Sequence, residues 1–393
     1  MTYTKSFAEI DTPSLLVDRK ILEANLSRVA DLARKHGIGL RPHAKTHKCI
    51  EIGRKQIESG ALGLTLAKTS EAMVFAEQGI ADIFLAYPVV GAAKINRLVQ
   101  LADKCRISAG VDSEICAVEL NKAFQGQSKK LPVLLEVDTG LGRTGVAMEE
   151  MLQLASRIHQ MSNLQLKGIY TYRGALLSDI APSASTEELK EIITHQGYRE
   201  AATMGELAQR MREAGLPVEV VSAGSTPTAA SVVTVPGLTE IRPGTYVFND
   251  AMQVRMNACS WQDCAAKVLV TVISRPSPDR AIIDGGCKAF AGDAKPDSPP
   301  LNLNGYGTVI DNAGTPCRDI QFERMNEEHG ILKLTGLAAT NLKVGARLLI
   351  VPNHICTTVN LFDNLTIVSD IDGNVTTLSI EDSWPVAARG RVQ

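Results

Sequence analysis

Aromatic residues are scarce, 4% of the chain. No basic stripe with interleaved aromatics, of the kind that grips a phosphate backbone, occurs anywhere. With a formal net charge of −2, nucleic acid is not an expected partner. Apolar runs long enough to cross a bilayer are also missing, and the start, MTYTKSFAEIDTPSLL, lacks a long apolar core behind a positive end. A cytoplasmic protein without a membrane partner is expected. The eight cysteines contain no CxxC pair, so neither a disulfide framework nor a closed tetrathiolate zinc site is suggested. Most read as reduced, buried, small apolar residues. No tract is low in complexity, so the chain should fold throughout.

What is present is an alternation of helical and extended patterns. At 393 residues the chain exceeds one small core, and two domains are expected. Asp18 can cap a helix whose apolar face reads Ile21, Leu22, Leu26, Val29, Leu32 and Ala33, with Gly37 ending it. Short apolar runs then recur: IGLRPH near 38, LGLTLA near 62, DIFLAY near 82, RISAGV near 106, LPVLLEVD near 131, LQLKGIYTY near 164, VEVVSAG near 218 and LTEIRPG near 238. Amphipathic stretches lie between them, the longest opening with a capping box, Ser185 to Glu188. Eight strand–helix alternations over residues 18–250 are the pattern of an α/β parallel (β/α)8 TIM-like barrel. A doubly wound open sheet is the alternative, but no GxGxxG follows the first strand. Residues 251–393 read as a mostly β C-terminal domain, from AKVLVTVISR, RAIIDGG, GILKLTG, ARLLIVP and LTIVSD. Residues 1–17, with TPSLLVD extended, can join it.

In such a barrel the reacting groups lie at C-terminal strand ends. RPHAKTHK, Arg41 to Lys48, follows the first strand and contains no acid. If that strand runs to His43, alternation directs Arg41, His43 and Lys45 to one side, with Lys45 at the mouth. A lysine crowded by cations loses proton affinity and becomes a nucleophile suited to Schiff-base chemistry; a solvated basic loop fits the same residues. EVDTGLGRTGV follows strand five, where its glycines permit a tight turn and Arg143 offers a fork to an oxyanion. SAGSTPT follows strand seven. There Ser222, Gly224, Ser225 and Thr226 can supply donors for a phosphate, and Pro227 suits a first helical position; a plain N-terminal cap is the bland alternative. EIRPGTYVFND brings Arg242 and Tyr246 toward the same pocket, as active-site residues or as part of a barrel-floor ion pair. In VPNHICTTVN, His354 and Cys356 would face one way if extended, a zinc-like pair that leaves positions open for water and substrate. EEHG adds His329 as a catalytic candidate beside His43 and Lys45.

Together these stretches resemble the fold-type III pyridoxal-phosphate enzymes, specifically the D-serine dehydratase and D-threonine aldolase family, with an alanine-racemase-like N-terminal barrel. The resemblance runs through DTPSLLVD, RPHAKTHK, EVDTGLGRTGV, TYRG, SAGSTPTA, RPGTYVFND, DGGCKA, EEHG, PNHICTT and WPVAARG, nearly the whole chain. It implies that Lys45 holds pyridoxal 5'-phosphate as an imine and that Gly224, Ser225 and Thr226 hold its phosphate. It also implies Arg143 near the ring hydroxyl, Tyr172 against the ring, and Arg242 facing the pyridine nitrogen, a position at which the family varies. His354 and Cys356 take the family's metal pair, with zinc ahead of manganese or magnesium. A homodimer acting on small D-amino acids is implied as well. Two lyase reactions fit. The thiolate ligand and the GSTPT loop resemble the dehydratase branch, which releases ammonia from D-serine or 3-hydroxy-D-aspartate. WPVAARG resembles the aldolases, which cleave D-threonine to glycine and an aldehyde. Dehydration is the first reading. Racemisation would require a second base opposite Lys45 that the sequence does not identify.

Overall fold

The computed structural model describes residues 3–5, 10–311, 313–369 and 378–393. It divides into two compact units: a barrel unit of Arg28–Leu177, Glu191–Gly244 and Gly390–Gln393, and a sheet unit of Met1–Ser27, Ser178–Lys190 and Thr245–Arg389.

The barrel unit contains eight strands: β1 (Gly39–Leu40), β2 (Leu64–Leu66), β3 (Asp82–Pro88), β4 (Arg106–Val111), β5 (Leu131–Glu136), β6 (Leu164–Tyr170), β7 (Val220–Ala223) and β8 (Glu240–Ile241). Their ladder runs β1-β8-β7-β6-β5-β4-β3-β2, parallel at every step. An isolated parallel bridge from His43 to Thr65 closes the curl. Beside it, the Leu62 and Thr65 amides donate to the Leu40 and Pro42 carbonyls, both at 2.8 Å. Strands covered on both faces read as continuous apolar runs, which is why Leu64–Leu66 and Val133–Leu135 are buried throughout. The helix Arg19–Lys35 starts where expected, with Asp18 Oδ1 accepting from the Ile21 amide at 3.1 Å. The Ser185–Glu188 capping box closes in both directions, at 2.8 and 3.2 Å.

The sheet unit holds a ten-stranded mixed sheet among the described residues. Its main path runs Tyr3–Lys5, Leu378–Pro385, Asn364–Ser369, Ser14–Asp18, Ala266–Ser277, Arg280–Ile283, Gly330–Leu334 and Ile320–Met325. Arg347–Pro352 pairs with Ala266–Ser277 and with Gly307–Ile310. Ser14–Asp18 runs parallel to Asn364–Ser369 and antiparallel to Ala266–Ser277. Leu16, Leu269, Ile310, Leu349, Val351 and Val368 pack into one core cluster. Four strands escaped the sequence reading, Tyr3–Lys5, Gly307–Ile310, Ile320–Met325 and Leu378–Pro385. In QFERM, for example, charge interrupts the alternation.

The cysteines depart from expectation. Cys49, Cys116 and Cys264 are buried, four others are half-buried and Cys287 is exposed. Among the described residues no helix is long and apolar enough to cross a membrane.

Gly168 stands where the β5–β6 register shifts, at φ +144°, and a Cβ there would lie 1.9 Å from the Val220 carbonyl oxygen. Gly168→Ala should cost at least about 2 kcal/mol in strain and lower the thermal midpoint by roughly 5 °C. Differential scanning calorimetry checks it.

Candidate active site

The first strand ends at Leu40, and after the His43 bridge the chain turns into a three-residue 3-10 helix, Ala44–Thr46. Strand alternation therefore stops before Lys45, which corrects the expectation that Arg41, His43 and Lys45 share a side. Arg41 turns instead to Glu240, at 3.0 Å, and to Asp82, at 2.5 Å. The 3-10 turn presents Lys45 beside His43, whose Nδ1 accepts from the Lys45 amide at 3.4 Å. Burial pushes the His43 pKa well below its ordinary value, and the charges of Lys45, Arg242 and His47 push it the same way. His43 is thus a neutral base. His47 is fully buried; its Nδ1 accepts from the Cys49 amide at 3.1 Å and its Nε2 faces Gln56 Oε1 at 3.2 Å. Burial lowers its pKa to about 4.

His43 and Lys45 line a cavity of about 330 Å³ together with Tyr87, Glu136, Arg143, Tyr172 and Arg242. The Tyr172 ring takes two cations, Lys45 Nζ at 5.2 Å and the Arg143 guanidinium at 5.0 Å from its centroid. Arg143 is carried by the glycine turn the sequence anticipated. Asp138 accepts from the Gly140 and Gly142 amides at 2.9 and 3.1 Å, and a Cβ on Gly145 would meet the Asp138 nitrogen at 2.6 Å. Glu136 accepts from Tyr170 and Thr144, both at 2.9 Å, and burial raises its pKa. Arg242 is buried over the Tyr170 and Phe84 rings and donates to Ser222 Oγ and to the Thr171 carbonyl.

The loop after β7 differs from its expected form. Ser222 is fully buried inside the strand, where its hydroxyl donates to Glu240 at 2.7 Å and accepts from Arg242. It fixes the arginine and does not face a ligand. The helix that follows is only Ala229–Val232, with Thr228 at its N-cap, so Pro227 precedes the helix and is not its first residue. Thr228 Oγ1 accepts from the Ser225 amide at 3.0 Å and pairs with Ser225 Oγ at 2.9 Å. Gly224, at φ +86°, allows the turn, and a Cβ there would come within 2.9 Å of Val232. Beneath it, buried Glu200 accepts from the Arg173 and Gly224 amides at 3.3 and 3.4 Å. Thr226 is half-buried on this loop. Sequence reasoning missed Thr228 and Glu200. Thr228, three residues after Ser225, stands at the spacing from which a side chain can accept the earlier residue's amide, as in a capping box, and that could have revealed it.

In the sheet unit, His354 is the N-cap of a short helix, Ile355–Val359, so the HIC segment is not a strand. The two residues stay close enough for the Cys356 thiol to raise the imidazole pKa. His354 Nδ1 lies 2.5 Å from Asp293 Oδ2, and Asp293 Oδ1 accepts from Thr357 at 2.9 Å. Burial opposes charge on His354, but Asp293, Cys356 and Asp250 outweigh it and raise the pKa to about 11. A carboxylate on one ring nitrogen leaves the other for a ligand, the usual support of a metal-binding histidine. Among the described residues no group of three or more His, Cys, Asp or Glu is arranged for a metal; His354 and Cys356 are a two-donor set. His329 is exposed in the turn joining Ile320–Met325 to Gly330–Leu334, and no described contact joins it to that pair. Tyr246 is buried in the one-turn helix Thr245–Val247, in the sheet unit, whereas Lys45 belongs to the barrel unit.

A parallel barrel with a lysine on its first turn and a glycine–hydroxyl loop after its seventh strand is the architecture of alanine racemase N-terminal domains, and the model of that domain matches residues 17–251. A putative serine dehydratase domain matches residues 265–368. D-threonine aldolase of Arthrobacter sp. is 34% identical, covering 98% of this chain and 94% of that one. D-threo-3-hydroxyaspartate dehydratase of Delftia sp. (strain HT23) is 32% identical, with coverages of 95% and 98%. A solved D-threo-3-hydroxyaspartate dehydratase, a cysteine-to-alanine mutant in the metal-free form, superimposes with a TM-score of 0.82 at 31% identity over 97% of this chain and 100% of that one. The chain belongs to the D-serine dehydratase and D-threonine aldolase family of fold-type III lyases.

His47 carries a pH prediction. Its folded pKa, about 4, lies below the ordinary 6.5, so the unfolded chain binds the proton first. The stability this gives is fully present above pH 6.5 and is lost as pH falls toward 4, up to about 3 kcal/mol; His43 acts in the same direction. Chemical denaturation between pH 7 and 4.5 should show the loss, and His47→Gln should flatten it.

Proposed function

We propose that the protein is a pyridoxal-phosphate and divalent-metal dependent lyase acting on D-3-hydroxy amino acids. The main reaction is β-elimination from D-serine or 3-hydroxy-D-aspartate, giving ammonia and a 2-oxo acid. The observation that carries this reading is Lys45, presented by a tight turn into a cavity that also holds Arg143, Tyr172 and Arg242. A homodimer, as the family resemblance implies, and a cytoplasmic location complete the proposal.

The residues present fit the cofactor. The cavity is of ordinary small-ligand size, and its cations Lys45, Arg143 and Arg242 suit an anionic guest. Bound pyridoxal phosphate supplies an electron sink for charge released at Cα. Lys45 would hold the cofactor through its amine and, once displaced by the substrate amine, move the proton at Cα. Tyr172 would orient the ring with Arg143 at its edge, and Gly224, Ser225 and Thr226 would take the phosphate. His43 beside Lys45, held neutral by burial and by the neighbouring cations, adds no positive charge to the pocket.

Hydroxide leaves poorly, so elimination needs an acid at the β-oxygen. The nitrogen and sulfur donors of His354 and Cys356 suit zinc, with manganese or magnesium as alternatives, and a metal there would supply Lewis acidity. Asp293 would hold the imidazole in place. The mutant relative described as metal-free, which lacks a cysteine, supports this use of a thiolate. A second reading, aldol cleavage, rests on the 34% identity to D-threonine aldolase.

Incubation with D-serine, D-threonine and 3-hydroxy-D-aspartate should give ammonia and a 2-oxo acid, and chelation should lower the rate at least about a hundredfold. Glycine plus an aldehyde would favour the second reading; no product from all three would overturn both. Asp293→Asn should weaken metal binding by roughly 10–100-fold, read by calorimetric titration of the metal-stripped protein.

A further inference from the structure

RPHAKTHK contains no acid, yet its cations are matched from other elements. Arg41 is met by Glu240 and Asp82. Lys48 is met by Glu71, the third residue of the helix Thr69–Glu77. Glu71 is fully buried. Its Oε2 accepts from the Ala67 amide at 2.9 Å, while Oε1 lies 3.9 Å from Lys48 Nζ and makes no hydrogen bond. An ionised carboxylate oxygen without a hydrogen bond is costly in the interior, so its place needs a reason. Two observations supply one. Ala67, whose amide Glu71 holds, lines the Lys45 cavity. Lys48, through which the chain leaves the Lys45 turn, sits at φ +49°, a conformation costly for a side chain with a Cβ.

We propose that Glu71 is the counter-charge of Lys45: a positioning residue that anchors the reactive turn through Lys48 and favours positive charge on the Lys45 nitrogen. It rests on the cofactor reading above. The charged and titratable groups around Lys45 are His43, His47 and Lys48 on its own segment, Glu71 and Lys68 at the next helix, Tyr87 on β3, Glu136 and Arg143 around the glycine turn, Tyr170 at the end of β6 and Tyr172 just after it, and Arg242 after β8. Of the two acids in this set, Glu136 lines the cavity and accepts from Tyr170 and Thr144, whereas Glu71 is the one tied to the Lys45 turn itself, through Lys48. Burial raises its pKa, and Lys48, the Ala67 and Lys68 amides and Lys45 offset part of that rise.

The test follows the visible absorbance of the holoenzyme's cofactor on Lys45 against pH. Removing a negative charge should lower the transition midpoint, and removing a positive one should raise it. Glu71→Gln is therefore expected to lower it by about one unit, and Lys48→Met to raise it by a similar amount. Glu71→Asp should restore part of the parental value. A purely structural Glu71 would change melting temperature without shifts of opposite sign. A Glu71→Gln midpoint equal to the parent's overturns the proposal. If that variant does not fold, an unshifted Lys48→Met midpoint does the same. A parent protein with no visible cofactor band would overturn the cofactor reading and this inference with it, whereas a normal parent with unshifted variants removes only the role of Glu71.

Discussion

The Thr65 amide bonded to the Pro42 carbonyl, and the Leu62 amide bonded to that of Leu40, close the parallel sheet between its first and second strands. The rest of the site follows from this seam. With a first strand only two residues long, backbone pairing alone is a weak closure, and a half-buried ion network, anchored on buried Glu240, reinforces it. Arg41, beside the seam, binds Glu240 on the last strand and Asp82 on the third. Removing one partner of such a network strands a charge, which typically costs about 3–5 kcal/mol. The network also leaves little freedom to the residues that follow. The chain turns tightly after His43, so Lys45 emerges at the C-terminal end of the strand, where barrels of this kind place their chemistry.

The cavity's electrostatics arise from burial as much as from charge count. His43 is held in its neutral form because burial and neighbouring cations oppose a second ring proton, and Glu136 is pushed toward its neutral acid by desolvation while it binds two hydroxyls. Arg242 is held by Ser222 and by the Thr171 carbonyl above two aromatic rings. The fixed positive groups suit a guest carrying a phosphate and a carboxylate. In the sheet unit the logic is reversed. Asp293, Cys356 and Asp250 favour the charged form of a half-buried imidazole, a charge that a divalent cation could replace.

Much of this was legible in the sequence. Eight apolar runs gave eight strands, because a parallel strand buried on both faces can hardly be written otherwise, and the Asp18 and Ser185 caps announced their helices. What escaped notice was decided at short range or at long range. Three residues of 3-10 helix have no periodicity, so alternation was carried past His43 to Lys45. Four helical residues after Thr228 gave no signal against Pro227 as a helix start. Ser222 was read as a mouth residue because its place within β7 depends on where the strand ends. Asp293 lies 61 residues before His354, and Glu71 meets Lys48 only through packing; neither partnership has a sequence spacing.

The account stands on the nitrogen of Lys45. Borohydride reduction of the purified protein, followed by peptide mapping, should find a single phosphopyridoxyl group on the peptide containing Lys45. A label on another lysine, or none, would contradict it.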